Sequence, residues 1–347
     1  MKKITSVLPL AFSLSLCLIT IMGTLFSGAA QITANFDGSD FSAGAFPLKN
    51  STAVKPFAPT VEPPKTETQT QTEATVPVLA DPSDAIGKIY EQFLSPYGQK
   101  LNYGGVYIKN SSGLSVDIKA ELETALSFKM NKTSEPEVLI VHTHSTESYM
   151  SEDRDFYTAA DTPRNDDDNK NVVLVGEKLA SVLSEGGITV LHDKTHHDSP
   201  SYNQSYSRAK TTITEYLKKY PSIKVVVDIH RDSIAMDGSA KCKPTREING
   251  KKAAQVMLVV GSQSGSVTDF PNWKQNFRLA LRFQQTMEAM YPGLARAMLL
   301  CSRKYNTNLT NGSLLLEIGT DSNTLEEAVY SAELAGNALL GVLNTLK

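Results

Sequence analysis

From Glu135 to the C-terminus, short apolar runs rich in β-branched residues alternate with longer amphipathic segments. The apolar runs predict strands, at Val138–His142, Ile188–His192, Lys224–Ile229, Gln255–Val260, Ala297–Cys301 and Leu314–Ile318. The amphipathic segments predict helices, at Asn171–Glu185, Ser207–Tyr220, Trp273–Met290 and Thr324–Leu346. This alternation is typical of an α/β layered domain, with a largely parallel central sheet of about six strands flanked by helices. Ligands of such sheets bind at the carboxyl ends of strands, so we look for a site there.

The chain before this domain divides into three parts. Lys2 and Lys3 precede an uncharged apolar run in residues 4–26, which is long enough to anchor the chain in a membrane with a cytoplasmic N-terminus. A cleavable signal peptide ending in the small residues 27–30 is the alternative, and both imply export. Residues 31–84 are rich in Pro and Thr and predict a disordered tether. Residues 85–134 predict an extension of the domain in residues 135–347, with a helix near Ala85–Phe93.

Charge and cysteine content limit the classes of protein to consider. The formal net charge is −3 and the Lys and Arg residues are scattered, which argues against a nucleic-acid partner. Export would permit a disulfide between Cys242 and Cys301, and two buried free thiols are the alternative.

Histidines are concentrated near the ends of predicted strands, and all six lie between positions 142 and 230. His142 and His144 end one strand, and alternate residues of an extended chain point to the same side, so both can address one ion. Glu147 follows within a turn's reach, and His230 ends another strand. Catalytic zinc sites typically use three N or O ligands and keep one position for water. We therefore predict a Zn²⁺ site with ligands from these four residues, the spare histidine orienting a ligand or substrate.

A carboxylate ends a third predicted strand, where Glu317 follows three leucines. An unpaired carboxylate is costly to bury, so we expect Glu317 to face the same cleft and to act as general base. A buried ion pair with Arg231 or Arg303 is the alternative. The remaining histidines have weaker claims, because His196-His197-Asp198 is typical of a polar loop over a cleft and His192 of a core histidine.

Several strings of the sequence together resemble one family over about residues 135–347: His142-Thr-His144-Ser-Thr-Glu-Ser-Tyr149, Asp228-Ile-His-Arg-Asp232, Arg303-Lys-Tyr-Asn306 and Leu316-Glu-Ile-Gly319, with Asn323-Thr-Leu-Glu-Glu-Ala328. They closely resemble stage II sporulation protein P, and the anchor and tether match that family's layout. The resemblance implies an amidase-like fold and a zinc N-acetylmuramoyl-L-alanine amidase with added endopeptidase activity. It also implies action on peptidoglycan during forespore engulfment, a single-pass anchor in the mother-cell membrane facing the intermembrane space, and stage II sporulation proteins D and M as partners.

For the site, the resemblance implies zinc on His142, His144, Glu147 and His230, with Glu317 as the catalytic carboxylate. Zinc-activated water would attack an amide carbonyl, Arg231 would help to stabilise the oxyanion, and Glu317 would pass the water's proton to the leaving amine. The candidate glycan or peptide contacts are Tyr149, Tyr202, Tyr206, Arg208, Asp232, Arg303 and Tyr305.

The third zinc ligand departs from the pattern of the broader amidases, which usually carry a metal-binding Glu near the start of the next helix. This chain has Asp166-Asp-Asp168 there, so we choose Glu147 and keep an aspartate such as Asp168 as its rival. Two other functions stay open at this point. One is a wall-binding scaffold that has lost its chemistry, and the other is a different exported metallohydrolase, such as a polysaccharide deacetylase.

Overall fold

The computed structural model describes residues 80–346. The predicted anchor or signal segment and nearly all of the predicted tether lie outside these residues, and their boundaries stay predictions. Within residues 80–346, no helix is both long enough and apolar enough to cross a membrane.

Strands and helices alternate through the described residues. The strands are β1 Ala85–Gln92, β2 Leu101–Tyr103, β3 Val106–Asn110, β4 Val138–Val141, β5 Phe156–Thr158, β6 Val190–His192, β7 Val225–Asp232, β8 Lys241–Ile248, β9 Lys251–Ala254, β10 Val256–Gly261, β11 Met298–Cys301 and β12 Ser313–Thr320. The helices are α1 Ile118–Glu123, α2 Val172–Glu185, α3 Ser205–Lys219, α4 Trp273–Met290 and α5 Leu325–Asn344. Each strand and helix predicted after residue 135 is present, with small shifts at its ends.

The main sheet has eight strands in the order β2-β3-β11-β10-β12-β7-β4-β6. Two neighbouring pairs, β2 with β3 and β10 with β12, are antiparallel, and the other pairs are parallel. The prediction of an α/β layered fold with a largely parallel sheet is therefore confirmed. At the centre of the sheet, β7 lies between β4 and β12 and runs parallel to both. The carboxyl ends of these three strands consequently meet at one edge.

Helices cover both faces of this sheet. The larger core contains the apolar faces of α2, α4 and α5, and a smaller cluster packs Ile213 of α3 against Leu139, Val141 and Val226 on the other face. The buried residues of α2 recur every three or four positions, which places them on one side of the helix. Asn171 starts this helix, because its side chain accepts a hydrogen bond from the backbone N–H of Val173.

A second sheet, with the order β5-β1-β8-β9, was not predicted. The expectation of a helix near Ala85–Phe93 is wrong, because this segment forms β1 and pairs with β5 and β8. Only Ile89 is buried in β1, so the segment lacks the apolar face that would hold a helix against the core. Gly87 lets β1 pack closely against the segment that contains Ser239, since a Cβ on residue 87 would lie 2.0 Å from the carbonyl oxygen of Ser239.

The two cysteines in the described residues are free. Cys242 lies in β8 and Cys301 ends β11, and both are buried. Their sulfurs contact different groups, Gln92 Oε1 at 3.8 Å and the carbonyl oxygen of Val260 at 3.7 Å. The disulfide alternative is therefore not realised in this fold.

A buried lysine joins the second sheet to the start of α5, and this contact generates a stability prediction. Lys243 Nζ lies 2.7 Å from Glu327 Oε1, and both side chains are buried. We expect Lys243→Met to lower the free energy of unfolding by about 3–5 kcal/mol, because the Glu327 carboxylate loses its buried partner. Lys252→Met, which removes an exposed ammonium 3.0 Å from Asp153, should cost about 0–1 kcal/mol. Urea unfolding followed by circular dichroism measures both, and equal losses would contradict this assignment.

Candidate metal centre

The centre of the candidate site is Glu147, which reaches two histidines from neighbouring strands. His144 follows β4, and its Nδ1 lies 3.4 Å from Glu147 Oε1. His230 lies in β7, and its Nδ1 is 3.4 Å from Glu147 Oε2. One ligand atom from each of the three residues lies within 4.8 Å of the others, and all three residues are buried. This is the kind of His/Glu/His set that zinc prefers.

His142 lies apart from this set, which corrects the expectation that His142 and His144 face one point. The strand β4 ends at Val141, so the alternation of an extended chain does not continue through residues 142–144. His142 instead donates from Nδ1 to the carbonyl oxygen of Ile229 at 3.1 Å, and its Nε2 lies 2.9 Å from Nε2 of His192. Gly176 makes room for this pair, because a Cβ there would lie 2.6 Å from the His142 ring.

Asp228 contacts His230 from within β7, although the sequence analysis assigned Asp228 no role. Its Oδ1 lies 3.1 Å from His230 Nε2, a charge contact without hydrogen-bond geometry, while Nδ1 is the nitrogen that approaches Glu147. The same carboxylate accepts hydrogen bonds from the backbone N–H and the hydroxyl of Thr143, at 2.9 and 2.6 Å. A carboxylate behind a histidine is the usual way to orient a metal-binding imidazole. The sequence could have predicted this role, because Asp228 and His230 are two residues apart on one strand and therefore lie on the same face of the sheet.

Glu317 lies opposite His230 in the register of β12 and β7. Its Oε2 atom is buried and has no hydrogen-bond partner among the described residues. Burial raises the pKa of Glu317 to about 8, against the attraction of His230, and the neighbouring Glu147 carboxylate adds to the rise. The alternative of an ion pair with Arg231 or Arg303 is absent from residues 80–346. An unpartnered carboxylate oxygen beside a His/Glu/His set is suited to accepting a proton from water.

Arg231 does not face the cleft, which corrects the expectation that it stabilises an oxyanion. Its Nε donates to the carbonyl oxygen of Ser148 at 3.1 Å, and Nη2 donates to that of Pro163 at 2.5 Å. Its backbone N–H donates to Glu147 Oε2 at 3.1 Å. The guanidinium therefore holds a loop, while the main chain of Arg231 helps to orient the central carboxylate. The sequence could not show this, because the loop carbonyls that occupy the side chain come from residues far along the chain.

Aromatic rings form one wall of the site. Tyr202 stacks on His144 with ring centroids 4.7 Å apart, and Tyr206 lies edge-on to the same ring at 5.4 Å. Tyr305 lies 5.8 Å from Tyr206. Burial raises the pKa of Tyr206 far above its ordinary value, so its hydroxyl stays protonated. These three predicted contacts are thus close to the His/Glu/His set.

The other predicted substrate contacts are engaged elsewhere or lie further out. Tyr149 is partly buried and donates to the carbonyl oxygen of Ile318 at 3.0 Å. Arg208, in the first turn of α3, donates to the carbonyl oxygens of three residues in the loop before that helix. Asp232 pairs with Arg296 at 2.9 Å, and Arg303 is exposed.

The aspartates that rivalled Glu147 lie outside the set. Asp168 Oδ1 is 2.7 Å from His196 Nε2, and Asp166 Oδ1 is 3.7 Å from His196 Nδ1, with both carboxylates partly exposed. Two residues that the sequence analysis left without a role lie closer. Arg164 Nη2 is 3.7 Å from Glu147 Oε1, and Asp198 forms an ion pair with Arg164. Nothing in the local sequence marks Arg164, since its position depends on a loop that folds back onto residues 146 and 147.

Charge and spacing together test whether zinc fits these residues. In a tetrahedral site with bonds of about 2.0–2.1 Å, two ligand atoms lie roughly 3.3 Å apart. Each histidine lies 3.4 Å from Glu147, which is close to this value, but the two distances are to different oxygens of the carboxylate, Oε1 for His144 and Oε2 for His230. Although burial disfavours charge, Asp228 and Glu147 raise the pKa of His230 well above its ordinary value. The Asp228 and Glu147 carboxylates thus favour positive charge near His230, and a divalent cation would supply that charge.

The His142 environment generates a prediction about pH. Burial lowers the pKa of His142 from 6.5 to about 3, so the unfolded chain binds a proton there that the folded chain does not. Stability should therefore fall as the pH drops from about 6 to 4, by up to about 1.4 kcal/mol per pH unit for this one proton. His142→Asn keeps a donor for Ile229 and removes this titration. Urea unfolding at several pH values should show a shallower slope for the variant, and equal slopes would contradict the prediction.

Comparison with known proteins places the chain in a family. A family model described as Stage II sporulation protein P (SpoIIP) matches residues 53–339. Stage II sporulation protein P of Bacillus subtilis (strain 168) is 32% identical over 211 residues, which cover 58% of this chain and 49% of that protein. The chain thus matches about half the length of this relative.

Two solved structures show a remote similarity. N-acetylmuramoyl-L-alanine amidase AmiC2 of Nostoc punctiforme is 12% identical, with a TM-score of 0.35 over 61% of this chain and 99% of that one. N-acetylmuramoyl-L-alanine amidase from Clostridium difficile 630 is 16% identical, with a TM-score of 0.35 over 61% and 98%. Because the family model extends over most of the sequence, the chain belongs to the stage II sporulation protein P family.

Proposed function

We propose that this chain is a zinc-dependent peptidoglycan hydrolase of sporulation, an N-acetylmuramoyl-L-alanine amidase with endopeptidase activity. The observation that carries the proposal is the meeting of His144, Glu147 and His230 beside Glu317, whose Oε2 atom has no partner among the described residues. The first three residues offer metal ligands, and the fourth offers a proton acceptor. Membership of the family supports the assignment to peptidoglycan and to sporulation.

His144, Glu147 and His230 would hold the zinc ion. When bound, zinc polarises a carbonyl group and lowers the pKa of water toward about 7. Asp228 supports by charge the orientation of His230 in which Nδ1 approaches Glu147, because Asp228 Oδ1 lies 3.1 Å from Nε2. The backbone N–H of Arg231 holds Glu147 from the other side. These contacts reduce the reorganisation that binding an ion would otherwise require.

Glu317 moves the proton in this proposal. Its Oε2 takes a proton from water and then returns it to the nitrogen of the leaving amine, which cannot leave as an amide anion. This role needs the carboxylate form, and the raised pKa of about 8 disfavours that form. A cation held by His144, Glu147 and His230 would favour the carboxylate form, because a nearby positive charge lowers the pKa of a carboxyl group. Proton transfer is therefore coupled to occupancy of the metal site.

The aromatic wall suits a substrate that has both a sugar and a peptide. Tyr202 is 53% exposed although His144 and Arg164 both pack on its ring, so the uncovered part of the side chain is available at the mouth of the site. Tyr206 and Tyr305 continue this wall away from His144. Rings of this kind offer apolar contact with pyranose faces together with polar hydroxyl groups.

The cellular setting rests on the family and on the N-terminal sequence. We propose that residues 1–30 anchor the chain in the mother-cell membrane and that the domain faces the intermembrane space, where it meets peptidoglycan during engulfment. The apolar run behind Lys2 and Lys3 supports the anchor. Stage II sporulation proteins D and M are the proposed partners, on the basis of the family resemblance described above.

The metal ligands and the proton acceptor predict different defects. His144→Ala, Glu147→Ala and His230→Ala should each lose zinc after dialysis, because each removes one of three ligands. Glu317→Gln should retain zinc and digest peptidoglycan about 10²–10⁴-fold more slowly. Zinc is measured by atomic absorption and digestion by release of soluble fragments. The control is Glu333→Gln, which removes a half-exposed carboxylate that pairs with Lys178 and should change neither quantity. Loss of zinc in Glu317→Gln would contradict the division of roles.

Chelation and product analysis test the activity itself. The full chain, purified in detergent, should release stem peptides from peptidoglycan, stop in EDTA, and recover when zinc is restored. Mass spectrometry distinguishes cleavage at the sugar–peptide bond from cleavage of peptide cross-links. Full activity in excess EDTA would contradict the proposal that the enzyme depends on zinc. Release of acetate alone would indicate a deacetylase, and binding to the wall without turnover would indicate a scaffold.

A further inference from the structure

Asp198 is a buried carboxylate that binds the turn between two of the proposed ligands. It accepts hydrogen bonds from Ser145 Oγ at 2.9 Å, from the backbone N–H of Thr146 at 3.2 Å and from Thr146 Oγ1 at 2.7 Å. Its side chain is fully buried. The contacts all fall on the residues that join His144 to Glu147, so Asp198 restricts the conformation of that turn.

Arg164 lies between the Asp198 and Glu147 carboxylates. Its Nη1 pairs with Asp198 and also donates to Thr146 Oγ1 at 3.1 Å, while Nη2 lies 3.7 Å from Glu147 Oε1. The next residue, Asn165, donates its backbone N–H to the carbonyl oxygen of Thr146 at 2.8 Å. The cation thus separates two buried like charges and lies against the turn from outside. Without it, Glu147 and Asp198 would repel one another in a poorly screened environment.

The same guanidinium also reaches the second ligand through an aromatic ring. Arg164 stacks over Tyr202 at 4.7 Å from the ring centroid, and Tyr202 stacks on His144 at 4.7 Å. His144, Tyr202 and Arg164 are thus in successive contact at the mouth of the site. His197, next to Asp198, ties this loop to the end of β4, because its Nδ1 donates to the carbonyl oxygen of His142 at 3.0 Å. One ion pair therefore influences the positions of both His144 and Glu147.

We propose that Asp198 and Arg164 form a positioning pair, which holds Glu147 and His144 at the spacing that a metal ion requires. The inference rests on the zinc centre proposed above, and it assigns roles to two residues outside that centre. The pair also explains how Glu147, only three residues after His144, can act as a ligand of the same ion. A short turn can present Glu147 between the two histidines when its conformation is held by Asp198 and its carboxylate by Arg164.

Zinc affinity is the direct test of this pair. The full chain in detergent is stripped of metal, and its zinc dissociation constant is measured by competition with a chromophoric chelator. We expect Asp198→Asn and Arg164→Gln each to weaken zinc binding about 10–100-fold, as loss of supporting partners around metal ligands typically does. Arg164→Lys retains a charge near Glu147 but loses the forked geometry, so it should recover part of the affinity. Arg164 is partly exposed, so its variants should fold even if Asp198→Asn does not.

A second Asp–Arg pair supplies the matched control. Asp161 lies 2.6 Å from Arg154 and accepts hydrogen bonds from Thr158, yet it contacts none of the proposed ligands. Asp161→Asn should therefore lower the melting temperature without changing zinc affinity. The inference is overturned if Arg164→Gln binds zinc as tightly as the wild type, or if Asp161→Asn weakens binding equally. A wild-type chain that binds no zinc would overturn the metal centre itself, which is a different result.

Discussion

Buried carboxylates within β7 and β12 and just after β4 need positive charge nearby, because an unpaired carboxylate in a poorly polar interior is strongly destabilising. Glu147 follows β4, Asp228 lies in β7, and Glu317 lies in β12. The parallel pairing of these strands brings the three carboxyl groups to one edge of the sheet. This requirement explains the raised pKa of His230, the place of Arg164 and the suitability of the group for a divalent cation.

The loops beside this edge are held by charged side chains that bind backbone carbonyl groups. Arg231 binds the carbonyls of Ser148 and Pro163, and Arg208 binds those of the loop that precedes α3. Irregular segments can lie next to a site only if their polar backbone groups are satisfied, and these arginines supply the donors. Two arginines for which the sequence predicted other roles, Arg231 in oxyanion stabilisation and Arg208 in substrate contact, therefore hold the loops in place. On this view the cleft is shaped before any ligand enters it.

Periodic parts of the chain were predicted well, and parts defined by distant partners were not. The strands and helices after residue 135 follow from local apolar patterns, and Glu317 follows from the improbability of burying a carboxylate after three leucines. Glu147 was preferred to Asp168 on proximity to His144, and it lies between the two histidines. The segment Ala85–Gln92 was misread because pairing with β5 and β8, which come later in the chain, makes it a strand. His142 was misplaced because β4 ends one residue earlier than expected.

By itself, the sequence determined the layered α/β architecture and the strand ends that bear His144, His230 and Glu317, because short-range periodicity and strand-end chemistry are written in adjacent residues. Only the tertiary structure decided which nitrogen faces which carboxylate, that His142 turns toward His192, and that the guanidinium beside Glu147 is that of Arg164 and not that of Arg231. The physical reason is that side-chain direction at the end of a strand depends on the loops folded over it. Those loops carry no periodic signal, and their contacts join residues that are far apart in the chain.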